Sequence, residues 1–223
     1  MAYLDGYRVL RYDGRGQGSS PSPDGVYDMD CLVSDLERVL EDTAFPAAHY
    51  VGISNGGCIA LAFAARSPNR VLSLVASDCY DRVTPLLRLK IRSWLLAHET
   101  GGPLHRFDIA SPWVWSETTL SQNPEALSFY RQKAAEHEDR AVRGLLLGAL
   151  DHSIDLGPIA CETLLLAGEE DLLTPPFAMR SMAGQIPGAR FETVPGAHAS
   201  LLEHPEIFAD RILPFLQGEA DVG

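Results

Sequence analysis

The chain has 223 residues, 46% of them hydrophobic and 22% charged, which suits one core-forming domain with a small insertion. Its 18 Lys and Arg stand against 30 Asp and Glu, a net charge of −12. That balance excludes the clustered cations that nucleic acid or an anionic membrane surface requires, and no apolar run approaches the ~18 residues of a membrane span. Met1 to Gly6 has neither the basic region nor the apolar core of a secretory leader. Tyr7 to Tyr12 reads as a strand ending in the glycine-rich Asp13 to Ser20, followed by a Ser/Pro/Gly loop to Gly25. Met29 to Leu40 carries Leu32, Val33, Leu36, Val39 and Leu40 at the 3–4 spacing of an amphipathic helix. Ala48 to Ile53 reads as a strand, Asn55 to Arg66 as a helix, and Val71 to Ala76 as a near-continuous apolar strand of the kind buried in parallel sheets.

From about Asp81 to Ile159 the pattern changes. Helical stretches are expected at Leu86–His98, Pro124–Glu136 and Arg140–Asp151, with an irregular Phe107–Trp115 around Ser111-Pro112. Strand–helix alternation then resumes, with strands at Leu164–Ala167 and Arg190–Val194 and helices at Pro176–Met182 and Pro205–Leu216. The expected fold is therefore α/β: a mostly parallel sheet with helices on both faces, formed by residues 1–80 and 160–223, with 81–159 inserted as a helical cap.

Gly52-Ile53-Ser54-Asn55-Gly56-Gly57 lies between the second strand and a helix rich in small residues. Glycines on both sides of a serine allow a sharp turn that exposes its hydroxyl, and the following helix aims free N–H groups at the same place. A serine needs a base, and the base an orienting carboxylate. Asp171 follows the Leu164–Ala167 strand and His198 follows the Arg190–Val194 strand, so a parallel sheet brings both to the edge where ligands bind. Asp78, just after the third strand, is the rival acid. Of the seven histidines, only His198 stands in a glycine-flanked loop after the last strand. No two histidines have metal-site spacing and the cysteines Cys31, Cys58, Cys79 and Cys161 form no C-x-x-C pair, so neither a metal nor a redox motif is indicated and a reducing, cytoplasmic setting fits. Gly14-Arg15-Gly16-Gln17-Gly18 is not a dinucleotide loop, because Ser19 stands where the third glycine belongs; no cofactor is expected.

Four segments together resemble the α/β-hydrolase family. They are Tyr12-Asp13-Gly14-Arg15-Gly16-Gln17-Gly18-Ser19-Ser20 (Y-D-x-R-G-x-G-x-S), Val51 to Gly57 (V-G-x-S-x-G-G), Ala167 to Pro175 (containing G-x-x-D-x-x-x-P), and Gly196-Ala197-His198 with Glu203-His204-Pro205 (G-x-H-x-x-x-x-E-x-P). They span nearly the whole chain in the family's order, and the nearest flavour is the 3-oxoadipate enol-lactonase-like group of capped esterases and lactonases. The resemblance implies Ser54 as nucleophile, His198 as general base and then acid, Asp171 as its orienting carboxylate, and the Asn55 N–H as one oxyanion donor. Trp113 and Trp115 are candidates to line a substrate pocket under the cap.

The implied activity is hydrolysis of a small carboxylic ester or lactone through an acyl-enzyme. C–C bond hydrolysis or haloperoxidase-like chemistry on the same triad, and a non-catalytic or ligand-sensing relative, are the alternatives. The family normally has further strands and an H-G-x-x loop ahead of the Y-D-x-R-G segment. Their lack here favours a chain missing its upstream portion over a naturally short variant, and leaves sheet edges whose pairing would favour a homo-oligomer.

Overall fold

The computed structural model describes Leu4 and residues 6–218; apart from Leu4 and Gly6, the reading of the first six residues lies outside the described part. The first helix, α1 (Met29–Asp42), starts where Asp28 accepts the Cys31 N–H and turns Leu32, Val33, Leu36 and Leu40 inward. β1 (Ala48–Ile53) passes through Ser54 into α2 (Asn55–Arg66), and β2 (Val71–Ser77) follows. Between β2 and the next strand lie four helices: α3 (Pro85–Val114), α4 (Glu117–Gln122), α5 (Pro124–Ala134) and α6 (Asp139–Gly148). The chain then alternates through β3 (Glu162–Gly168), α7 (Pro176–Ala183) and β4 (Arg190–Val194), and ends in α8 (Ser200–Glu203) and α9 (Pro205–Leu216).

The described strands form one parallel sheet in the order β1-β2-β3-β4. Val75 lies opposite Val51 and Leu164, and Leu165 opposite Phe191, so all four carboxyl ends emerge on one edge. Alternate side chains serve the two faces. Leu74, Ala76, Leu165 and Ala167 pack against α1, α2 and α7. Val75, Leu164, Leu166 and Val194 pack against Phe208, Ile212, Phe215 and Leu216 of α9. The two central strands, β2 and β3, are mostly buried, hence their near-continuous apolar runs, while β1 and β4 are only partly covered.

Two expectations fail. Residues 7–12 form no strand. Their composition gives an extended chain, but a ladder needs a neighbour within about 4.8 Å. Residues 7–12 and β1 instead line a groove of about 670 Å³, together with Leu36, Ile59 and Leu216. The second is Phe107–Trp115, which is helical almost throughout. Gly102, at φ 75°, breaks α3 into two arms, and Pro103 opens the second arm, where its missing N–H costs nothing. Pro112 falls in the last turn, so one ladder bond is lost and the helix ends two residues later. The short α4 has no expected counterpart; Ser116 starts it by accepting the Thr119 N–H.

Candidate active site

The turn at Ser54 has the geometry that the glycines foretell. Ser54 is one of three non-glycine residues with positive φ among those described (φ 53°, ψ −121°), a strained conformation held by its surroundings. Its N–H is anchored to the Ser77 carbonyl at 2.8 Å. A Cβ at Gly52 would lie 2.6 Å from the Gly56 carbonyl carbon and 2.8 Å from the Gly57 nitrogen, so only glycine lets β1 pass this close to α2. Asn55 is the first residue of α2, and its N–H lies outside the helix's own ladder.

Residues 144 positions apart meet here. His198 Nε2 lies 2.8 Å from Ser54 Oγ, and His198 Nδ1 lies 2.9 Å from Asp171 Oδ2. The imidazole and the carboxylate are both buried. Asp171 is fixed by its own loop: Oδ1 accepts the Leu173 and Thr174 N–H groups at 2.7 and 2.8 Å, and Oδ2 accepts the Thr174 hydroxyl at 2.7 Å. Burial pushes the Asp171 carboxyl up, but the hydrogen bond and charge of His198, with the Thr174 bonds, hold it below the usual carboxylate value. Burial pulls the His198 imidazole down, while the bond to Asp171 and the charges of Asp171 and Asp78 more than offset it, and the net direction is upward. Asp171 thus does more than make a turn, and the rival Asp78 makes no hydrogen bond to the ring among those described.

The sequence gives no separate signal for Thr174, which also lies 3.2 Å from His198 Nδ1, because its role depends on where the loop folds back. Glu203 closes the histidine loop. Its two carboxylate oxygens accept the Ala197 N–H and the Ser116 N–H, each at 2.8 Å, so it joins the loop to the end of α3. A second bond, from Ala199 N–H to the Val114 carbonyl at 2.9 Å, does the same. Trp113 packs with Leu87, Ile91 and Leu173, stacked near Trp94; Trp115 is buried against Tyr130. Lys90 donates to the Leu172 carbonyl, holding α3 to the acid loop. Arg15 forms a two-pronged bond to Asp35 at 2.5 and 2.6 Å and ties the glycine-rich loop to α1. Among the described residues no group of three or more His, Cys, Asp or Glu is placed to hold a metal, and no helix is long and apolar enough to cross a membrane.

Residues 1–211 match the sequence profile of the alpha/beta hydrolase family. The chain belongs to that family. This hydrolase is 28% identical over 229 residues to the "Putative carbamate hydrolase RutD" of Caulobacter segnis, covering 97% of this chain and 84% of that protein. It is 25% identical over 211 residues to 3-oxoadipate enol-lactonase 2 of Acinetobacter baylyi, covering 93% of this chain and 78% of the lactonase. Among solved structures, a thermophilic esterase from Thermogutta terrifontis superimposes with a TM-score of 0.84 at 27% identity, covering 93% of this chain and 78% of the esterase. The hydrolase is enzymatic by family and by relatives, and its relatives act on small molecules.

Proposed function

We propose that the hydrolase cleaves a small carboxylic ester or lactone through a serine acyl-enzyme, with Ser54, His198 and Asp171 as its triad. The observation that carries this reading is the unbroken chain from Ser54 Oγ through His198 to Asp171, with 2.8 and 2.9 Å links. His198 Nε2 takes the hydroxyl proton as Oγ attacks the carbonyl carbon, and the C=O electron pair moves onto oxygen. The free N–H of Asn55 meets that oxyanion. The oxyanion then collapses, the C–O bond to the leaving group breaks, and the imidazolium returns its proton to the departing alkoxide. Water repeats the cycle on the acyl-serine, releasing the acid. Asp171 keeps its charge throughout, holding the ring and stabilising the imidazolium.

Helices α3 to α6, spanning the 81–159 insertion, act as a cap. Trp113 and Trp115 bracket Val114, the residue bonded to the histidine loop; both pack within the cap, so their part in the substrate space is to support the cap wall above Ser54. A reducing, cytoplasmic setting suits the four free cysteines. The name of the C. segnis relative favours one second reading, carbamate cleavage by the same steps with nitrogen bonded to the attacked carbonyl carbon.

The test is labelling by a fluorophosphonate probe, followed by rates on p-nitrophenyl acetate, a γ-lactone and an aryl carbamate. Labelling abolished by Ser54→Ala, with a kcat loss on the order of 10⁶, supports the triad. Labelling that persists in Ser54→Ala refutes it. Faster turnover of the carbamate than of the ester and lactone would replace the first substrate class by the second.

A further inference from the structure

A second carboxylate lies buried beneath the site, and the steps above do not use it. Asp78 follows β2 directly, is fully buried, and has φ 49°. Its N–H donates to the Leu166 carbonyl at 3.0 Å, seating it at the end of β3. Its Oδ1 accepts the Gly168 N–H at 2.8 Å, three residues before Asp171. Its Oδ2 accepts the Ser200 hydroxyl at 2.8 Å, two residues after His198, and lies 2.7 Å from the Ser77 hydroxyl. One side chain therefore bonds the strand before the acid loop and the helix after the histidine loop. The two loops also touch: a Cβ at Gly168 would lie 2.7 Å from the Gly196 carbonyl oxygen.

We propose that Asp78 is a positioning residue, which sets the separation of the Asp171 and His198 loops and gives the imidazole a second negative neighbour. This rests on the triad reading above. It is not a substitute acid, because His198 Nδ1 is already bonded to Asp171 at 2.9 Å. The charged and titratable groups around the pair come from several elements. The charge of Asp78 acts on His198 and Asp171, and on Cys79 beside it; Cys58 of α2 also acts on His198, and Asp171 on Lys90 of α3. Burial pushes Asp78 up to about 6, with the Asp171 charge adding and His198 and the Gly168 N–H opposing. Both protonation states can be satisfied. Ionised, Asp78 accepts from Ser77, Ser200 and Gly168; protonated, it donates to Ser77 Oγ, which then donates to the Leu166 carbonyl 3.2 Å away. In the ionised state its charge favours the imidazolium, so His198 is more basic than Asp171 alone would make it.

The experiment uses Asp78→Asn in the full chain. Asparagine keeps the shape and the acceptor for Gly168, while its NH₂ can donate to the two hydroxyls. The His198 imidazole is titrated by NMR, its signal identified by loss in His198→Gln, alongside the pH profile of kcat/KM on the ester. The expected result is an imidazole pKa lowered by about half a unit or more, the acid limb moved by the same amount, and kcat reduced about tenfold with KM little changed. An imidazole pKa and acid limb at their wild-type positions, with kcat within about twofold, would overturn the proposal. Should Asp78→Asn not fold, Ser200→Ala removes one tether and leaves the charge; a several-fold lower kcat with an unmoved acid limb supports the tether, and a wild-type kcat refutes it. Labelling that survives Ser54→Ala would sink the triad reading alone, since the NMR titration reads Asp78 without turnover.

Discussion

Gly52→Ala tests whether the close passage of β1 over α2 is what places the Ser54 hydroxyl. The added methyl would sit 2.6 Å from the Gly56 carbonyl carbon and 2.8 Å from the Gly57 nitrogen, with the Gly56 oxygen closer still. Carbon atoms pack best at about 3.5 Å, so the strand and the helix start must part by roughly 0.9 Å. All three obstacles are backbone atoms, so no rotamer change relieves them. Overpacking of this kind costs about 1–3 kcal/mol, which for a chain of this size is about 2–4 °C in Tm per kcal/mol. The kinetic effect is larger than the stability effect suggests, because Ser54 sits between the two parts that separate. A displacement near 1 Å costs about 10² in rate. Urea denaturation and the rate of fluorophosphonate labelling, measured on the same preparation, give both quantities. A Gly52→Ala protein with the wild-type midpoint and the wild-type labelling rate would show that the elbow does not depend on this contact.

Four further outcomes follow from the geometry. His198 must be neutral to accept the serine proton, and its pKa is raised above 6.5, so kcat/KM on the ester should rise with pH through a midpoint above 6.5; a midpoint below that value would contradict the Asp171 pairing. The same shift stabilises the fold fully below pH 6.5 and less as pH rises through the folded value, so the urea midpoints of wild type and His198→Gln should draw together as pH rises above 6.5. Glu203→Gln leaves one of the Ala197 and Ser116 N–H groups without its acceptor, and should cost about 1–3 kcal/mol in urea denaturation and speed proteolysis near Val114–Glu117; unchanged values in both would show that this link to α3 is idle. Val51, 47% exposed on β1, the edge strand of the described sheet, lines the groove, so the chain should self-associate with rising concentration in analytical ultracentrifugation and Val51→Lys should weaken that association; equal weight-average masses for the two proteins would refute edge pairing.

Periodicity and punctuation were enough for most of the fold. The spacing of Leu32, Val33, Leu36 and Leu40, the near-continuous apolar run of β2 and the glycines around Ser54 each encode a local backbone choice, and a local choice is written in adjacent residues. Chain order, with Asp171 and His198 each just past a strand of a parallel sheet, was enough to bring them to one edge beside Ser54. Tertiary structure alone decided the rest. Tyr7 to Tyr12 has the composition of a strand but pairs with no strand among the described residues, because pairing belongs to two segments and composition to one. Pro112 looked like a breaker, but its effect depends on where in the helix it falls. Thr174, Glu203 and Asp78 hold the site through bonds that cross loops or elements, and the strength of such a bond depends on a distance and a burial that no sequence window contains.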